Sequence, residues 1–159
     1  VIGDPRILAS LRLALLGWYG RKERNPEDLA RESWRILRRS DRDLESYDKA
    51  LALAESAWQL DPGNLRCREA LGIAQYRVGQ FSEAIATLER VDQVQRREGQ
   101  DPRPLVLAFL AMALEKSGDR DSAATTYGRL RRLFAETSTR ARRRDLERIK
   151  QEVEGMFVK

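Results

Sequence analysis

A chain of 159 residues, 42% apolar and only 7% aromatic, is long enough for one domain with a real core and too short for two of ordinary size. The absence of histidine and the single Cys67 exclude a His-based dyad, triad or metal site and an internal disulfide framework. The net charge of +5 arises between Arg129 and Arg148, where eight Arg stand against Glu136, Asp145 and Glu147, so the rest of the chain is balanced.

Ala, Leu, Arg and Glu dominate and β-branched residues are few, which favours helix, and no segment alternates with a period of two. No run approaches the roughly 18–20 apolar residues that span a bilayer. The best candidate, Ile7 to Tyr19, is interrupted by Ser10 and Arg12 and lacks the cleavage pattern of a signal peptide. The expectation is a soluble, cytoplasmic segment, to which a lone cysteine is suited. Val1 in place of an initiating Met reads as a piece of a longer chain or a processed product.

Asp4-Pro5 has the chemistry of a helix start, and Ile7, Leu8, Leu11, Leu15 and Trp18 mark one face of a helix over 5–20. It is either the second helix of a preceding unit or an N-terminal cap. A second helix is expected from Glu27 to Arg39, carrying Leu29, Trp34 and Leu37, and Ser40-Asp41-Arg42-Asp43 breaks it. The next runs from Leu44 to Leu60 with Tyr47, Ala50, Leu51, Ala54, Ala57 and Trp58 inward, and Asp61-Pro62-Gly63-Asn64 ends it.

From there the pattern echoes. Leu71, Phe81 and Ala84 stand 34 residues after Leu37, Tyr47 and Ala50; Leu110, Gly118 and Ala123 stand 39 after Leu71, Gly79 and Ala84. The five extra residues fall in Gly99-Gln100-Asp101-Pro102-Arg103, a lengthened polar loop. Gly72 lets a facing helix approach closely. The third unit places Leu107, Leu110, Ala111 and Leu114 inward on its first helix, and Ala123, Tyr127, Leu130 and Phe134 on its second. Thr137-Ser138-Thr139 supplies an N-cap for a last helix with Leu146, Ile149, Val153 and Phe157 on one face and Arg142, Arg143, Glu147 and Lys150 on the others.

With these frames on the page, the chain resembles the tetratricopeptide repeat family, whose unit is a 34-residue helix-turn-helix. Trp34, Leu37, Ala50, Ala57 and Asp61-Pro62 carry the resemblance in the first unit, Leu71-Gly72, Gly79, Phe81 and Ala84 in the second, and Leu110-Ala111, Gly118-Asp119 and Ala123 in the third. More loosely, Val106 to Leu114 followed by Lys116-Ser117-Gly118-Asp119 resembles repeat tails of large bacterial multidomain signalling proteins. The resemblance implies an all-α, right-handed superhelical stack. One domain over 1–159 would hold the 5–20 helix, repeats over 31–64, 65–98 and 104–137, and a capping helix over 138–157. Arg38 and Asp41 depart from the pattern, so the first helix of the first unit is expected to end early; Arg96 replaces a closing Pro in the second unit, so the second helix of that unit is expected to run on toward Arg97.

The resemblance further implies that the first helix of each unit lines a concave groove. Mapped onto this chain, its candidates are Arg35, Ile36 and Arg39, then Arg66, Glu69, Ile73, Tyr76 and Arg77, then Leu105, Phe109, Met112 and Lys116. A groove basic at one end and apolar at Phe109 and Met112 suits an acidic-apolar peptide or protein segment; the alternative is that these are ordinary solvated or packing positions. Ala70, Leu105 and Phe109 break the Lys/Asn pattern of the carboxylate clamp found in some relatives.

A second function class rests on the basic segment 129–148, where Arg140, Arg142, Arg143, Arg144 and Arg148 offer a patch to nucleic acid or an acidic surface. The competing reading is a solvated helix face, because the cluster alternates with Leu130, Leu133 and Leu146 and has no interleaved aromatic platform. Cys67 lies between Arg66 and Arg68, an arrangement open to two readings, an activated thiolate or a core thiol. No Gly-rich phosphate loop is present. Binding without catalysis and without a cofactor or metal is the expectation; the oligomeric state is open.

Overall fold

A computed structural model describes residues 25–136 and 143–158. Seven α-helices lie among them: α1 Pro26–Leu37, α2 Leu44–Leu60, α3 Leu65–Arg77, α4 Phe81–Arg97, α5 Pro104–Ser117, α6 Arg120–Glu136 and α7 Arg143–Phe157. No strand occurs among the described residues, so the fold is all-α. The helix expected over 5–20 and the Thr137-Ser138-Thr139 cap fall outside them.

Local chemistry starts most of these helices. Asn25 caps α1 by accepting from the Glu27 amide at 2.9 Å, with Pro26 at the first helical position. Asp43 accepts from Ser46 at 2.8 Å, and Asn64 from Arg66 at 3.0 Å. Gly118 ends α5 with φ +94°, a left-handed conformation that a side chain would strain. The first helix stops at Leu37, two residues short of the Arg39 expected from the sequence: Arg39 turns to pair with Asp41 while its carbonyl accepts from the Tyr47 hydroxyl at 2.7 Å. At the other departure, α4 does continue to Arg97.

The helices pair as hairpins, α1 with α2, α3 with α4 and α5 with α6, and each hairpin packs on the next. Small residues set the spacing. Ala50, Ala54 and Ala57 are fully buried on α2, where the Ser33 hydroxyl donates to the Ala50 carbonyl at 2.8 Å. Within the second hairpin a Cβ on Gly72 would stand 2.6 Å from Leu88 Cγ, so only glycine admits this approach. A bidentate pair, Arg129 to Asp92 at 2.8 and 2.9 Å, joins α4 to α6.

Trp58 corrects an expectation: it is 36% exposed rather than packed in the core. It lies two turns from Leu51 and four from Leu44, and this row runs along the edge of α2, while the alanine row takes the inward face.

Candidate functional site

The first helices of the three hairpins, α1, α3 and α5, lie side by side and form one face. Its candidate residues separate into an open part and a covered part.

The open part is a cleft of about 230 Å³ between α1, α3 and the start of α5. Ala30, Trp34, Ala70, Ile73 and Leu105 form its apolar floor. Glu27, Arg31, Arg66, Glu69 and Arg103 form its rim. One α-helical turn separates Glu27, Ala30–Arg31 and Trp34 on α1, and the same spacing aligns Arg66, Glu69–Ala70 and Ile73 on α3, so two matched rows face one another. The lengthened loop before α5 delivers Arg103, which donates to the Glu69 carboxylate. Burial raises the Glu69 pKa, and the Arg103 and Arg66 charges oppose that rise. The cleft therefore presents an apolar floor beside a mixed rim of three arginines and two glutamates, in which Arg103 is paired with Glu69 and Arg31 with Asp28.

Four candidates lie in the covered part. Phe109 and Met112 were expected as the apolar end of an exposed groove; both are 0% exposed. The physical reason is the composition of α5, in which every residue from Val106 to Leu114 is buried: a helix apolar all round is enclosed on all sides. Tyr76 is also buried, edge-on to Phe109 at 5.4 Å. Arg77 has a side chain only 5% exposed. Its Nε donates to the Leu37 carbonyl at 3.0 Å, its Nη2 to Glu152 of α7 at 2.8 Å, and its guanidinium lies 5.0 Å from the Phe109 ring centre.

The remaining groove candidates stand at the margins. Arg35 and Lys116 are exposed and line neither part, and Arg39 is paired with Asp41 at 2.8 Å. Trp34, a core residue in the sequence reading, packs against the core and also lines the cleft; Ala30, Arg31 and Arg103 were not among the groove candidates, and the turn-spaced row Glu27, Arg31, Trp34 was the available signal. Of the basic patch, Arg140 and Arg142 fall outside the described residues. Arg143 and Arg144 stand in the first turn of α7, and Arg148 is exposed. Arg129, at the start of the same basic segment, is neutralised by Asp92.

Cys67 is a core thiol. Burial pushes its pKa up to about 11, with Asp61 and Glu27 adding to the rise, so the flanking arginines do not activate it. Burial likewise pushes the Tyr76 hydroxyl up to about 12, helped by Glu152. Both groups are neutral when protonated, so the folded chain holds these protons more tightly than the unfolded chain. Their stabilising effect is fully present below about pH 9 and is lost as pH rises through those folded values. The urea midpoint is expected to fall between about pH 9 and pH 11, and an unchanged midpoint would contradict the burial of both groups.

No helix among the described residues is long and apolar enough to cross a membrane. Residues 42–103 match the family model of the tetratricopeptide repeat. That stretch spans α2, α3, α4 and the loop leading to α5. No curated protein and no solved structure matches the chain.

Proposed function

We propose that this chain, whose residues 42–103 match the tetratricopeptide repeat family model, is a non-catalytic interaction module that takes a peptide or protein segment into the cleft between α1, α3 and α5. Repeats of this family generally mediate protein–protein contacts and are typically non-catalytic. The observation that carries the reading is an apolar floor in which Trp34 and Leu105 stay part-exposed over the buried Ile73, next to Arg31, Arg66 and Arg103. One apolar side chain fills the floor while a carboxylate on either side meets the rim arginines by charge-assisted hydrogen bonds. The ligand class is thus an acidic-apolar segment. Trp34 and Arg66 are residue types that concentrate binding energy.

A random peptide library selected on the full chain tests this. Enriched peptides are expected to combine an apolar anchor with Asp or Glu. Their affinity is expected to fall about tenfold or more, roughly 1.4 kcal/mol, in Trp34→Ala and in Arg66→Glu. Selected peptides that bind both variants as tightly as the parent would place recognition elsewhere.

A further inference from the structure

The last helix does not extend the stack in the way the earlier ones do. Both α3 and α5 pack on the helix before them, α2 and α4, whereas α7 packs chiefly on α5 and lies over the covered part of the inner face. Ile149 and Val153 of α7 are fully buried, Glu152 reaches Arg77, and Met156 Sδ stands 3.9 Å from the Tyr76 hydroxyl. This seat brings the middle of α7 against the turn between α1 and α2, which is far from it in sequence.

A second cavity, of about 520 Å³, opens where the two meet. Among the described residues, Arg38, Arg39 and Ser40 of the turn line one side, and Arg148 and Gln151 of α7 the other. Two carboxylates also reach it, Asp41 and Glu152, and each is engaged at both oxygens. Asp41 accepts from Arg39 Nε at 2.9 Å and from Nη2 at 2.8 Å. The hydrogen bond from Arg39 holds the Asp41 pKa down to about 2, so the carboxyl stays ionised and paired at neutral pH. Glu152 accepts from both terminal nitrogens of Arg77.

The rest of the wall is rich in donors: three guanidinium groups, the Ser40 hydroxyl and the Gln151 amide. Arg148 is exposed and makes no ion pair among the described residues. Carbonyls at the end of α1 would repel an anion, but the Leu37 carbonyl accepts from Arg77 at 3.0 Å and that of Arg39 from the Tyr47 hydroxyl at 2.7 Å. A cavity with spent carboxylates and open donors suits an oxyanion. A phosphomonoester brings about two negative charges at pH 7 and three strong acceptor oxygens, and a planar guanidinium meets two such oxygens at once. The cavity is larger than one phosphate group, so a substituent has room beside it.

We propose that the cavity between the α1–α2 turn and α7 is a binding site for a phosphate group, free or as a phosphomonoester, held by Arg38, Arg39, Arg148 and Ser40. The bound group bridges the first hairpin to the last helix, so its occupancy fastens α7. The site shares no lining residue with the cleft between α1, α3 and α5, and it stands or falls without that reading.

The test titrates sodium phosphate into the full chain near neutral pH, with ionic strength held constant by sodium chloride, and follows the backbone amides by NMR. Amides of 38–41 and 148–152 are expected to shift and saturate, with a Kd of about 1 mM or below. Hydrogen exchange across α7 is expected to slow at saturation. Arg148→Glu, at an exposed position that leaves Ile149 and Val153 in their seats, is expected to weaken binding about tenfold or more. Arg35→Glu, an exposed arginine of α1 outside the cavity, is expected to leave it unchanged. A repeat with glycerol phosphate separates the two sources: tighter binding than inorganic phosphate assigns the site to an ester, equal binding to the free ion, and either upholds it. Shifts reproduced by sodium chloride alone, a response that never saturates, equal losses in Arg35→Glu and Arg148→Glu, or unchanged exchange in α7 would each overturn the proposal.

Discussion

Phe109→Ala is expected to destabilise the protein by about 3–5 kcal/mol, the range for removing a large aromatic side chain from a core. Phe109 is the largest fully buried side chain among the described residues. Its ring receives Tyr76 edge-on and carries the Arg77 guanidinium, so truncation removes transfer energy, an aromatic pair and a cation–π contact together. The void cannot collapse easily, because its neighbours on α5 are buried without a break from Val106 to Leu114. Set against a total stability of about 5–15 kcal/mol, this loss leaves the variant near its unfolding threshold. Urea denaturation followed by helical circular dichroism measures it, and a loss under about 1 kcal/mol would contradict the central position of the ring. The same argument disqualifies Phe109→Ala as a clean probe of surface recognition.

Arg77→Ala is expected to cost a similar amount, about 3–5 kcal/mol, for a different reason. It strands the Glu152 carboxylate against an apolar seat and deprives the Leu37 carbonyl of its donor. It also strips the packing that the guanidinium gives to Phe109. Most of that penalty belongs to the uncompensated partner rather than to the pair, because desolvation offsets much of the attraction between two buried charges. A double variant, Arg77→Met with Glu152→Leu, is therefore expected to recover most of the stability lost in Arg77→Ala. If the double variant is as unstable as the single, the ion pair contributes net stability and the desolvation argument fails. A double-mutant cycle on the urea midpoints separates these outcomes.

The hairpin pattern was legible because its signals are local. Asp43 before Leu44 and Asp61-Pro62 after Leu60 bracket α2 at the limits read from the sequence. The 34-residue echo aligned Leu71 and Ala84 with the buried Leu37 and Ala50, and Gly72, read as a point of close helix approach, sits against Leu88 as a residue without Cβ must. Gly118 closes α5 where the 39-residue step placed a turn. Caps, turn residues and helical periodicity act within a few residues of one another, so their consequences are present in any short window of the chain.

The candidate site was legible in part. Arg66, Glu69, Ile73 and Leu105 line the cleft as expected, and Trp34, read as a packing residue, both packs against the core and lines the cleft. Tyr76, Arg77, Phe109 and Met112 belong to a different environment, a seat covered by a helix that begins 26 residues or more after α5 ends. The partner of Arg77 is 75 residues away in sequence, and no local signal distinguishes Glu152 from its acidic neighbours Glu147 and Glu154.

Sequence alone thus settled that the chain is helical, where most helices begin and end, and that they pair in repeating hairpins, because each of these follows from short-range chemistry. Which part of the inner face stays open and which is sealed was decided by the docking of α7. That choice depends on a charge and an apolar stripe meeting across a long separation, and on α5 being enclosed by four neighbouring helices at once. Only the folded chain brings those groups within reach of each other.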